Sequence, residues 1–200
     1  MDYYIFGDVE TTGLSSANDK DRMTEIALVK TDIDFNIIDQ FQTLINPERE
    51  ITEKITQLTG ITEEMVSTAP IYDVIYSDIE NFIKEGFNED DNPILVAHNA
   101  PFDFGFINEG AKTILGYPLF NDFIDTVSLA RELYPFWRNH KLDTCAKKLN
   151  VMNENHHRAM NDTMVLYQIA KKFIPEAVNI GINPVNFRTK KSLHYKKNNN

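Results

Sequence analysis

A chain of 200 residues, 42% hydrophobic and 25% charged, has the size and balance of one soluble globular domain. No apolar run approaches the roughly 20 residues of a membrane helix, the first residues carry no basic segment ahead of an apolar one, and the lone Cys145 excludes an internal disulfide, so a cytoplasmic setting is expected. The formal net charge of −10 argues against binding nucleic acid through a broad basic surface, yet leaves open a substrate bridged by cations.

In chain order, Tyr3–Asp8 is short, aromatic and β-branched and reads as a strand. Thr24–Lys30 reads as a second strand, and Phe35–Ile45, stopped by Asn46-Pro47, as a third. Three strands in quick succession suggest antiparallel pairing. Ile75, Ile79, Phe82 and Ile83 then recur at helical spacing, which predicts a helix over Tyr72–Lys84. Pro93–His98 reads as a buried strand, Pro101–Leu115 as a helix and Asn121–Asp125 as a short strand. Helices are expected near Thr126–Leu133, Leu142–Leu149 and Ala159–Phe173. The order predicts an α/β fold, a mixed sheet covered by helices. Order is expected to fade after Ile182, which divides the chain into a domain over 1–182 and a basic, flexible tail over 183–200. From Arg188 onward there are five basic residues and no acid, leaving 15 of the 20 basic residues against all 30 acids before it. Such a tail can touch phosphates or stand solvated.

Chemistry-bearing residues fall in three groups. In Asp8-Val9-Glu10-Thr11-Thr12-Gly13, a strand places Asp8 and Glu10 on one face. Their repulsion would raise both pKa values unless a cation lies between them. In His98-Asn99-Ala100-Pro101-Phe102-Asp103, Asp103 precedes Phe106 by three residues and Ile107 by four, so it heads the apolar stripe of its helix. In His157-Arg158-Ala159-Met160-Asn161-Asp162, Asp162 stands likewise four residues before Leu166, and His157 falls ahead of the helix. Each group alone has an ordinary explanation, such as an acid complementing a helix dipole. Together they give two carboxylates facing a core from different helices and an acid pair at a strand end, an arrangement that is costly without a shared cation. An all-carboxylate set with sparing use of His suits Mg²⁺ or Mn²⁺ rather than Zn²⁺.

These groups closely resemble the three motifs of the DEDDh 3′–5′ exonucleases, the superfamily of the proofreading epsilon subunit of bacterial DNA polymerase III and of PolC-type exonuclease domains. D-x-E-T-T-G stands as Asp8–Gly13, H-N-A-x-F-D as His98–Asp103 and H-R-A-x-x-D as His157–Asp162. Ile55–Thr62 looks like the segment lining the 3′-terminal nucleotide pocket, and Asp125–Arg131 like the D-T-x-x-L-A-R helix start. The resemblance covers roughly residues 3–173 and departs from the pattern at Gly7, where a bulkier strand residue is usual. It implies an RNase H-like fold with a mixed five-stranded sheet. It also implies two divalent cations held by Asp8, Glu10, Asp103 and Asp162, with His157 as general base; adjacent His156 is the rival by position. Thr11, Thr12, Gly13, Leu58, Thr59, His98, Asn99 and Phe102 would contact the last nucleotides.

The implied reaction is removal of 5′-mononucleotides from the 3′ end of a nucleic acid. DNA is favoured over RNA on the Leu58–Thr62 segment; a DNA polymerase is one candidate partner, and a free-standing trimming enzyme is the alternative. Three competitors follow from the same scaffold: an exoribonuclease, an internally cutting nuclease, and a non-catalytic binding module. The last should have lost ligands, whereas all four acids and the histidine are present.

Overall fold

The computed structural model of the protein describes residues 2–17, 20–151 and 158–188. Strand β1 (Asp2–Thr11) is flanked by β2 (Met23–Thr31), which pairs in turn with β3 (Ile37–Leu44). Both of these pairings are antiparallel. On the other side of β1 lie β4 (Asn92–Ala97) and β5 (Asp122–Asp125), both parallel to it. The sheet order is β3-β2-β1-β4-β5, the mixed five-stranded sheet that the motifs imply.

Alternation along β1 divides the core. Tyr3, Ile5 and Val9 face one side, against α3 (Tyr72–Lys84) and α4 (Pro101–Ile114). Tyr4 and Phe6 face the other, against α5 (Thr126–Leu133), α6 (Leu142–Lys148) and α7 (Ala159–Asn179). With helices on both faces, β2 is buried along all nine of its residues. Gly7 does not break β1. A Cβ there would meet Leu28 Cδ2 at 3.0 Å and Leu95 Cδ1 at 3.2 Å, so the missing side chain lets these two leucines close over the strand.

Several boundaries differ from the sequence expectation. Two short helices, α1 (Glu53–Thr59) and α2 (Glu63–Val66), occupy a stretch given no helix above. β3 starts at Ile37, not Phe35, because Phe35 sits at φ 66° in a turn whose Asp32 carboxylate accepts from the N–H groups of Asp34 and Asn36. α7 runs on through Pro175 to Asn179; proline removes one N–H donor, while Ile174 and Ala177 continue the buried stripe. Described structure also continues beyond Ile182. Val185 and Phe187 pack on the α7-side core, Asn186 Nδ2 donates to Asp122 Oδ1 at 2.6 Å, and the Arg188 guanidinium lies 4.8 Å from the centre of the Phe123 ring.

Candidate active site

The fold brings the acids to the C-terminal end of β1 from three elements. Asp8 and Glu10 share the face of Tyr4 and Phe6, which is the side covered by α7 and its Asp162. Asp103 arrives from the opposite side, in the first turn of α4. β1 pairs with β4 only as far as Phe6, so the Val9 N–H lies beyond that ladder. It donates instead to Asp103 Oδ1 at 3.2 Å. One hydrogen bond thus fixes the third acid between the first two, and satisfies a backbone donor that burial would otherwise strand.

The electrostatics show that the four carboxylates feel one another. Burial, then repulsion from Asp103, Glu10, Asp162 and Glu25, holds Asp8 well above the usual carboxylate range. Glu10 is pushed up to about 7, by burial first and then by Asp162 and Glu25, against the opposing pull of Arg158. Asp103 is pushed up to about 8, mainly by burial, although the Val9 N–H favours its charged form. What the fold provides is this coupling rather than a closed cage: among the described residues, no group of three or more His, Cys, Asp or Glu side chains encloses a common point. The donor set still fits a hard divalent cation, being all-oxygen, uniformly negative and raised in energy by the mutual repulsion a cation relieves.

A pH dependence follows. The folded chain keeps protons on these groups at pH values where the unfolded chain, with carboxyl pKa values near ~4, has lost them. Stability from this source is therefore present below pH ~4 and is lost as pH rises through the folded values of about 7 and about 8. In chelator, the melting temperature should fall between pH 5 and pH 8. Added Mg²⁺ should raise it more at pH 8 than at pH 5, because protons compete with the cation. A melting temperature in chelator that climbs over this range would contradict the assignment.

Behind the acids is a scaffold that sequence reasoning missed. Glu25 is 1% exposed and stands opposite Glu10 in the β1–β2 register. Its carboxylate accepts from Arg158 Nη2 at 3.0 Å, from the Ala159 N–H at 3.3 Å and from Gln42 Nε2 at 2.9 Å. The start of α7, and with it Asp162, is thereby tied to the sheet beside Glu10. The only signal was an acid directly before the apolar run Ile26–Val29. Glu25→Ala would orphan the buried Ala159 N–H and is expected to cost about 1–3 kcal/mol, read from denaturant unfolding.

Asp125 plays a similar part for the second motif. Buried at the end of β5, it accepts from the N–H groups of Asn99, Ala100 and Val127 and from the Ser128 hydroxyl. It thus holds the β4–α4 turn, in which Asn99 is exposed at φ 75°, a conformation asparagine tolerates.

The expected substrate contacts separate into two sets. Leu58 is exposed, Asn99 is exposed, and Phe102 is half-buried with its ring 4.9 Å from that of Phe106. Others are turned inward. His98 spends both ring nitrogens within the protein, Nδ1 on Thr126 Oγ1 and Nε2 on the His140 carbonyl, each at 2.9 Å, and burial brings its pKa down to about 4. Thr59 is buried; its hydroxyl donates to the Ile55 carbonyl and accepts from the Ile61 N–H at the end of α1. Both residues brace the site rather than present a polar group to a ligand. Thr11 Oγ1 donates to the Gly13 carbonyl at 2.6 Å, and Thr12 Oγ1 accepts from the Arg22 N–H at 3.0 Å, so the two hydroxyls shape the loop after β1. A Cβ at Gly13 would lie 2.4 Å from the Asp21 carboxylate, which would have to move aside. His157 and His156 lie outside the described residues; Arg158, which follows directly, is the residue that Glu25 pins.

Known proteins share this plan. The family model described as an exonuclease of the RNase T type matches residues 5–170. The PolC-type DNA polymerase III of Clostridium perfringens is 43% identical over 170 residues, 85% of this chain and 11% of that protein. Its Bacillus subtilis counterpart is 41% identical over 180 residues, 90% of this chain and 12% of that protein. The chain therefore spans about a tenth of the length of these curated relatives. Exonuclease X, solved in complex with 5′-overhanging duplex DNA, superimposes with a TM-score of 0.64 at 25% identity over 89% of this chain and 93% of that one. No described helix is long and apolar enough to cross a membrane. With the sheet order, the acids gathered at one strand end and a family match spanning most of its length, this chain belongs to the RNase T family of exonucleases, within the DEDD 3′–5′ exonuclease superfamily.

Proposed function

We propose that this chain hydrolyses the terminal phosphodiester of DNA at single-stranded or frayed 3′ ends, releasing 5′-mononucleotides with the help of two divalent cations, Mg²⁺ or Mn²⁺. The observation that carries the reading is the convergence of Asp8, Glu10 and Asp103 on Val9, with Asp162 electrostatically coupled to both β1 acids. The relatives' name as DNA polymerases and the DNA bound to Exonuclease X favour DNA. They also favour work beside a DNA polymerase, in proofreading or repair, in the cytoplasm.

When bound, the cations would neutralise charge on the scissile phosphate and lower the pKa of the attacking water. The chain's own residues do the rest. Asp8, Glu10, Asp103 and Asp162 would hold the cations through their carboxylate oxygens. His157 takes the proton from the water oxygen as it attacks phosphorus, and the 3′ oxygen of the penultimate nucleotide departs. Arg158, the residue that follows His157 in sequence, is held by Glu25. Leu58 and Phe102 offer apolar surface to the terminal base, and Asn99 offers an amide to the strand beside it. Thr11, Thr12 and Gly13 set the loop whose backbone meets the terminal sugar and phosphate.

The test uses a DNA strand labelled at its 3′ end, a closed circular single strand, and an RNA of matched sequence, each incubated with Mg²⁺. Labelled 5′-mononucleotide from the linear DNA and an intact circle are expected. Cleavage of the circle would replace exonuclease with endonuclease, and faster loss of the RNA would replace DNA with RNA.

A further inference from the structure

The α5–α6 connection, residues 134–141, presents one ring to solvent from a fixed frame. Phe136 is 98% exposed, the most exposed of the large apolar side chains among the described residues. Tyr134, Trp137, Asn139 and His140 around it are engaged. Tyr134 and Trp137 stack at 4.2 Å with planes 8° apart, and Trp137 in turn lies 6.5 Å from the buried Phe173 ring. His140 Nε2 is 2.9 Å from the Tyr134 carbonyl, and Asn139 Oδ1 accepts from the Lys141 N–H and the Thr144 hydroxyl. The loop is thus folded on its own contacts, with Trp137 turned in and Phe136 turned out.

Two further observations say what the ring meets. The first is charge. The chain as a whole is at −10, but residues 131–148 carry Arg131, Arg138, Lys141, Lys147 and Lys148 against Glu132 and Asp143. Arg138, Lys141, Lys147 and Lys148 are all exposed. The second is continuity. The His140 carbonyl is the 2.9 Å partner of His98 Nε2, so this loop is bolted to the same β4–α4 turn that leads into Asp103. An exposed ring among cations, joined to the catalytic turn, has the composition of a single-strand binding surface, where bases stack on aromatics and phosphates pair with basic side chains.

We infer that the α5–α6 loop is a second contact for the substrate strand: Phe136 stacks on a base upstream of the 3′ end while Arg138 and Lys141 pair with the phosphates that flank it. This rests on the exonuclease reading above and extends it from the terminal nucleotide to the strand that follows.

The experiment compares two substrates in Mg²⁺: a single strand of ~20 nucleotides, and the p-nitrophenyl ester of thymidine 5′-phosphate, which has no upstream strand. Phe136→Ala should raise KM for the strand about tenfold, the scale of one lost stack, and leave turnover of the ester unchanged. Phe136→Trp should restore strand KM, and Arg138→Ala should flatten its salt dependence. Since Phe136 supports no internal contact, the melting temperature should not move. If the wild-type chain degrades the strand and Phe136→Ala does so with unchanged KM, the ring serves something else and the inference falls. If the wild-type chain is inert on strand and ester alike, the exonuclease reading itself falls first.

Discussion

Asp8→Ala should abolish turnover, with a fall of about 10³-fold or more in kcat/KM, and Asp162→Ala should do the same. Each acid is asked to hold cations whose stabilisation of the reacting phosphate is worth several kcal/mol, and each ~1.4 kcal/mol is tenfold in rate. The two variants should differ in one informative way. Asp8 is held well above the usual carboxylate range by burial first and then by its acidic neighbours, Asp162 among them. Removing it relieves repulsion on the acids that remain. Asp8→Ala is therefore expected to be more stable to heat than the wild-type chain in chelator, and to lose the gain in melting temperature that Mg²⁺ gives the wild type. Calorimetry with and without Mg²⁺, beside single-turnover cleavage of a labelled strand, reads both. An Asp8→Ala protein that still cuts at a tenth of the normal rate would end the metal assignment.

His157→Ala should cost about 10²–10⁴ in rate, the span of a lost general base, and leave Mg²⁺ binding nearly intact. An intact Mg²⁺ response of the melting temperature separates this loss from that of a ligand. The rate of the wild-type chain should rise with pH through the range in which an imidazole deprotonates, near ~6.5 for an unperturbed histidine. That limb should vanish in His157→Ala. His156→Ala is the control for position, and should keep both the rate and the limb. Full activity of His157→Ala at neutral pH would transfer the role elsewhere.

The strands, the long helices and the gathering of Asp8, Glu10 and Asp103 were legible because they depend on periodicity and on short motifs. Apolar residues at spacing two or near 3.6 declare which face is buried, and an acid at the head of such a stripe inherits its direction. Short helices carry no such stripe. α1 and α2 were written instead in their caps: Thr52 and Thr62 accept from the N–H groups of Ile55 and Met65, and Gly60 ends α1 at φ 73°. Those signals were present in the sequence but local. What could not be read was where polar side chains spend their hydrogen bonds. His98 and Thr59 have the right types to touch a nucleotide, yet their partners, Thr126, the His140 carbonyl and the Ile55 and Ile61 backbone, are supplied by the fold. Glu25 and Asp125 gain their importance in the same way, from donors 134 and 26 residues distant as well as near ones.

β1 lies at the centre of the sheet and alternates between two cores, with Asp8 and Glu10 on one side and Val9 on the other. Sliding the hairpin by a single residue would carry both acids through the sheet to the wrong layer and put an isopropyl group where the carboxylates belong. A chain folded in a slipped alignment would thus be inert as well as unstable. Hydrolysis is in that sense an assay of strand alignment, and a nuclease that is dangerous when misdirected acquires its cutting power only on reaching the native pairing.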